Sequence, residues 1–154
     1  MGLPFGVIKK LLKSIDMKKA LKYILIITLT SFALLTLFLS SSVLFDLFGI
    51  REKEGNYVLF VVWANFISSL LYILAIYGII KLEKWTIKPL LISVLLLIFA
   101  LIGFYFHINS EGLYETKTIG ALFFRITVTL VFTLLVYLIT IKWNKKIHNN
   151  YLND

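Results

Sequence analysis

Four long runs free of charged residues constrain this chain more than anything else in it. Tyr23–Phe45 (23 residues), Gly55–Ile80 (26), Pro89–Ser110 (22) and Thr118–Ile141 (24) are each bounded by charged side chains. Only the last is interrupted, once, by Arg125. Crossing about 30 Å of hydrocarbon as a helix takes about 20 mainly apolar residues, so every run is long enough. Membrane-crossing strands are about half that length and alternate strictly between apolar and polar positions, which these runs do not. Only helices and closed barrels satisfy their backbone groups in lipid. The runs therefore predict four transmembrane helices, at about 23–45, 57–80, 89–108 and 119–141.

Composition supports the same class. Hydrophobic residues make up 60% of the 154 and charged residues 16%, against about 45–50% and 25% in soluble domains. With a mean hydropathy of +0.92, a water-soluble domain of this size has no core large enough for its apolar surface. The absence of cysteine excludes disulfides, thiol redox chemistry, iron–sulfur clusters and thiolate-bound zinc. The connections are short, and no internal resemblance supports an inverted-repeat transporter. The expected fold is all-α: a single up-down bundle of four transmembrane helices, preceded by an amphipathic interfacial helix.

The distribution of Lys and Arg sets an expected orientation. The arm at 1–22 carries Lys9, Lys10, Lys13, Lys18, Lys19 and Lys22, the second connection Lys81, Lys84 and Lys88, and the tail at 142–154 Lys142, Lys145 and Lys146. These twelve lie on one side, against Arg51, Lys53 and Lys117 on the other. The positive-inside rule then places both termini in the cytoplasm, with the chain multi-pass in the plasma (cytoplasmic) membrane. The net charge of +8 is thereby a matter of topology. Basic and aromatic residues are not interleaved as in a single-strand binder, so no nucleic-acid partner is expected. Span one has too long an apolar run, and too long an arm before it, for a cleaved signal peptide.

Within the arm, Val7, Ile8, Leu11, Leu12, Ile15 and Leu21 recur at three- and four-residue steps with lysines between them. That is the pattern of a basic amphipathic helix in the headgroup layer, where Lys9, Lys10, Lys13, Lys18, Lys19 and Lys22 attract anionic lipid headgroups. The alternative is docking onto a partner's cytoplasmic face. Trp85 and Trp143 suit one aromatic belt, and Tyr57, Tyr105 and Tyr114 the other.

Polarity collects at the lysine-poor end. Asn65 lies in that half of span two, His107 at that end of span three, and Arg125 about 9 Å inside span four. Five of the eight acids (Asp46, Glu52, Glu54, Glu111 and Glu115) sit in the connections beside them. The candidate ligand-binding or structural cluster is Asn65, His107, Glu111, Glu115 and Arg125. Arg125, Thr129 and Thr133 share one helix face, as do Asn65, Ser68, Ser69 and Tyr72, and Ala100, Gly103 and His107. Such small and hydroxyl-bearing stripes are also ordinary packing surfaces of membrane bundles. A charge at the depth of Arg125 either snorkels to the headgroups, pairs with an acid or binds an anion. Glu115, ten residues earlier, is the acid we expect to pair with it.

His107, Glu111 and Glu115 are spaced one helical turn apart, but Gly112 breaks the turn and no second histidine is near, so no metal is expected. The Asp46–Asn56 segment lacks the ligand order of a calcium loop. Nothing supplies a nucleophile–base pair, so neither enzymatic activity nor a cofactor is expected. The favoured reading is a non-catalytic accessory or partner-binding membrane subunit, its partner another protein or a second copy of the chain. The alternative is a small oligomeric transporter or channel holding a solute near Asn65, His107 and Arg125.

Overall fold

The structure, a computed structural model, describes residues 5–139, and the side chains of residues 7–16 and 18 fall outside that description. The basic tail at 142–154, the end of span four beyond 139, and the side chains of Lys9, Lys10, Lys13 and Lys18 therefore lie outside the described residues. The elements are α1 (Phe5–Leu44), α2 (Ile50–Glu54), α3 (Leu59–Lys81), α4 (Ile87–Asn109) and α5 (Lys117–Tyr137), with a 3-10 turn at Lys84–Thr86 leading into α4. Four segments are long and apolar enough to cross a membrane: Lys19–Leu44, Leu59–Lys81, Lys84–Asn109 and Lys117–Tyr137. The fold is an all-α four-helix bundle, and the chain is a small membrane protein.

Between Val7 and Leu44 there is no Pro or Gly, and nothing local breaks the helix. Accordingly α1 runs unbroken for 40 residues, about 60 Å at 1.5 Å per residue. The arm and span one are one helix, with no element boundary at Lys22–Tyr23. Pro89 sits in the first turn of α4, where its missing N–H removes no intrahelical bond.

The chain turns at the C-terminal ends of α1, α3 and α4 by the same device. The N–H of Leu47, Glu83 and Gly112 bonds the carbonyl of Ser42, Gly78 and His107 respectively, at 2.8–3.0 Å. In each case the residue just before the donor is left-handed: Asp46 (φ 56°), Leu82 (φ 56°) and Glu111 (φ 57°). These are Schellman closures in which a non-glycine residue occupies the position usually given to glycine.

Packing proceeds in chain order, α1 on α3, α3 on α4 and α4 on α5, while α5 returns to α1 only sparingly. Two cores result. The core at the lysine-rich end draws on all four long helices: Leu25 and Leu29 from α1, Tyr72 and Ile79 from α3, Leu90 from α4, and Phe132 and Val136 from α5. The core at the lysine-poor end is built from α3, α4 and α5 alone, with Val58, Val61, Leu97, Phe104, Leu122 and Ile126. Helix α1 meets α3 there through small side chains, with Thr36, Ser40 and Ser42 buried. Phe32 marks the border between the two regimes, its ring 5.6 Å from that of Tyr72, 6.0 Å from Phe132 and 6.4 Å from Phe124.

Candidate functional site

Where α1 parts from α5, above the Phe32 cluster, the bundle holds a cavity of about 280 Å³. Its walls are Leu39, Ser40 and Val43 of α1, the Val58–Asn65 face of α3, and Thr118, Ala121 and Arg125 of α5. Helix α4 contributes no residue to it. Glu54 and Lys117 stand in its lining too, and they form an ion pair of 3.2 Å.

Two of the cluster residues expected from the sequence meet here. Arg125 lies eight residues into α5, about 12 Å along the helix axis, and is half-buried. Among the described residues its guanidinium has no ion pair and no hydrogen bond. Asn65, six residues into α3, is only 7% exposed, and its Oδ1 is buried without a hydrogen-bond partner. A buried amide oxygen left unpaired costs about 1–3 kcal/mol, so this is an unsatisfied site in an apolar setting.

The polar stripe continues below Arg125 as structure. The Thr129 hydroxyl donates to the Arg125 carbonyl at 2.7 Å and meets the Tyr72 hydroxyl at 2.7 Å. Thr133 donates to the Thr129 carbonyl, also at 2.7 Å. Tyr72 and Thr129 are fully buried and stitch α3 to α5 directly beneath the cavity. Ser68 on α3 and Ser93 on α4 are buried with unpartnered hydroxyls.

Glu115 does not pair with Arg125. Its Oε1 accepts the Asn56 backbone N–H at 3.2 Å and lies against Gly55. Gly55 has φ 64°, a left-handed backbone that favours glycine, and a Cβ there would displace the Glu115 carboxylate, 2.6 Å away, from its place against the turn. Glu115 thus ties the α2–α3 turn to the start of α5. The paired acid at the cavity is Glu54, held by Lys117.

His107 and Glu111 lie away from the cavity. His107 Nε2–H donates to the Leu113 carbonyl at 3.1 Å, and its ring stands edge-on to Phe60 at 6.3 Å. A Cβ at Gly112 would run into that ring, so Gly112 lets the turn fold over the histidine. Helix α4 ends at Asn109, and left-handed Glu111 is exposed. The four-residue spacing therefore does not bring His107 and Glu111 onto one helical turn. Among the described residues no three His, Asp or Glu side chains form a metal-binding group.

One further residue shapes the lysine-poor end, and no local sequence pattern points to it. Arg51 Nε and Nη2 donate to the Val43 and Leu44 carbonyls at 2.8 and 2.7 Å, capping the C-terminus of α1. The same guanidinium lies 3.7 Å from Asp46 and 5.9 Å from the Tyr57 ring centre. At the opposite end Lys22 Nζ donates to the Ile80 carbonyl at 3.0 Å, and Lys19 is exposed.

Comparison with protein-family models, with curated proteins and with solved structures finds no match to this chain.

Proposed function

We propose that the chain is a non-catalytic accessory membrane subunit, oriented with both termini in the cytoplasm, that docks a protein partner on its lysine-poor cap. The observation that carries this reading is the construction of that cap. Arg51 on the end of α1, Glu115 on the Asn56 N–H, and Lys117 on Glu54 bind its segments to one another. On this braced frame Phe45, Leu47, Phe48 and Leu113 remain exposed, Phe48 and Leu113 by 76% and 74%. Large apolar side chains exposed on ordered backbone where the spans end, with Phe45 and Phe48 resting against Phe66 and Phe38, are the composition of a docking surface.

Conduction is the second reading, and the cavity is the observation in its favour. Against it, Phe32, Tyr72 and Thr129 pack together on the lysine-rich side of Arg125, and among the described residues every buried polar side chain is an uncharged Ser, Thr, Asn or Tyr. Within one copy of the chain this packing supports binding at one end over passage from end to end.

Photocrosslinking in native membranes separates the two readings. A photoreactive residue at position 48 or 113 should yield a discrete protein adduct, and one at lipid-facing Phe99 should not. The same faint smear at all three positions would reject partner docking on the cap. Solute flux by purified protein in liposomes would establish the transporter reading in its place.

A further inference from the structure

The proposal above leaves unexplained the gap between α1 and α5. Two concavities lie along it. The first is the cavity holding Arg125 and Asn65, of about 280 Å³. The second, of about 320 Å³, lies nearer the lysine-rich end between the same two helices, walled by Leu21, Ile24 and Leu25 on one side and Val128, Val131 and Leu135 on the other. The first presents a guanidinium and an amide; the second is almost entirely apolar. Between them stand Phe32 and Phe124.

We infer that the α1–α5 seam binds an anionic amphiphile, its carboxylate or phosphate head at Arg125 and Asn65 and its acyl chain in the apolar groove below. Charge supports an anionic head. The lining of the upper cavity includes Arg125, Lys117 and Glu54, a net of +1, and Lys117 already holds Glu54 at 3.2 Å. The cation left over is Arg125, whose planar fork matches a carboxylate or phosphate in two parallel hydrogen bonds. The amide of Asn65, 7% exposed, has two N–H donors to offer the same head, and its unpartnered Oδ1 accepts from a donor such as a headgroup hydroxyl.

Size and access support an amphiphile over a free solute. The upper cavity falls just below the range of about 300–1,000 Å³ for pockets that enclose whole small molecules, yet it has room for a headgroup. Its side toward the bilayer is the one where α1 and α5 scarcely pack, so entry is lateral. From Arg125 to Leu135 is ten residues of α5, about 15 Å, a distance that a long acyl chain spans by passing the exposed side of the Phe32–Phe124 pair into the apolar groove. The seam site stands independently of any partner on the cap, because none of the cap's exposed side chains lines it.

The test measures thermal stabilisation of the detergent-purified full chain by four additives: phosphatidylglycerol, phosphatidylcholine with the same chains, palmitate and inorganic phosphate. Phosphatidylglycerol, palmitate or both should raise Tm well beyond phosphatidylcholine, with inorganic phosphate inert; the stronger of the two identifies the source of the head. Arg125→Gln should reduce the preference for the anionic lipid over phosphatidylcholine about tenfold in apparent affinity, the loss of one charge-assisted contact. Val131→Trp fills the groove at an exposed position and should weaken binding of the amphiphile while leaving Arg125 in place. If Arg125→Gln keeps the full anionic preference, the lysines of the arm account for it and the site is rejected. Inorganic phosphate as effective as the lipids would reject the amphiphile in favour of a free anion. Should Arg125→Gln fail to fold, unchanged binding by Val131→Trp rejects the seam on its own.

Discussion

The two halves of this bundle use the same four helices to opposite ends. Toward the lysine-rich face, α1, α3, α4 and α5 share one core around Leu29, Tyr72, Leu90 and Val136, each essentially inaccessible. Toward the other face α1 keeps its small-residue contact with α3 but parts from α5, and the space between them is the cavity of Arg125 and Asn65. In lipid, helix association rests on close packing and interhelical hydrogen bonds rather than on the hydrophobic effect. A half in which α1 closes on α5 as well as on α3 is therefore the natural seal, and a half in which α1 holds to α3 alone is the natural receptacle. The Tyr72–Thr129 hydroxyl contact at 2.7 Å lies at the border.

Helix α4 offers a controlled way to break this comparison. Leu90 and Leu97 are both 0% exposed on the same helix, one in each core. Leucine-to-alanine changes in cores cost about 2–5 kcal/mol, depending on how far the surroundings collapse. Leu90→Ala should lie near the upper part of that range, because four helices fix its surroundings. Leu97→Ala should cost about 1 kcal/mol less, its core having a side that α1 does not brace. Unfolding of the purified variants by a denaturing detergent measures both. Equal costs would mean that the two cores are equally constrained, and the contrast would fail.

Much of this architecture is legible in the sequence, for a definite reason. Charge-free length is a global property of each run, so neighbouring detail does not disturb it, and among the described residues four helices long and apolar enough to cross a membrane overlie the four runs. Asn65 and Arg125 line one cavity, in keeping with similar distances of the two residues from the lysine-poor ends of their helices. What escapes is whatever depends on a helix ending. The spacing of His107 and Glu111 brings them together only if α4 continues, but it stops at Asn109 and Glu111 turns left-handed. Glu115 precedes the first residue of α5, so no helical spacing fixes its direction, and the Asn56 N–H captures it. The five-residue α2 and the reach of Arg51 back to Val43 and Leu44 carry no periodicity at all. Conversely, the arm reads as a separate element from its lysine-interleaved apolar spacing; with no Pro or Gly at the junction, the backbone continues through it as one helix.

Each end also has a basic side chain on a helix C-terminus, which sharpens the contrast at a smaller scale. Arg51 makes two bonds to α1 carbonyls and is partly buried, whereas Lys22 makes one exposed bond to Ile80. Bonds from charged donors are worth about 1.5–3 kcal/mol when shielded and much less when water and salt reach them. Arg51→Met should therefore destabilise the protein by about 1–2 kcal/mol, and Lys22→Met by under about 0.5 kcal/mol. Hydrogen exchange should show faster opening of the last turn of α1 in the first variant. An effect of Lys22→Met equal to that of Arg51→Met would show that the two caps are not distinguished by burial.

The smallest expected effects concern which acid answers which cation at the mouth of the cavity. Glu54 and Lys117 are in contact at 3.2 Å, but their side chains are 40% and 56% exposed. An ion pair so open to solvent couples by about 0.2–1 kcal/mol, and the lower half of that range is expected here. The double-mutant cycle Glu54→Gln with Lys117→Gln should therefore return about 0.3 kcal/mol, shrinking further in high salt. Glu115 and Arg125 make no contact, since Glu115 is engaged with the Asn56 N–H. Their cycle, Glu115→Gln with Arg125→Gln, should be additive to within about 0.3–0.5 kcal/mol. Glutamine at 115 retains an acceptor for that N–H, so its own cost should be slight. A coupling above about 1 kcal/mol in the second cycle would place Glu115 on Arg125 after all. The guanidinium would then be neutralised from within the chain, and the seam would lose the cation that its anionic occupant requires.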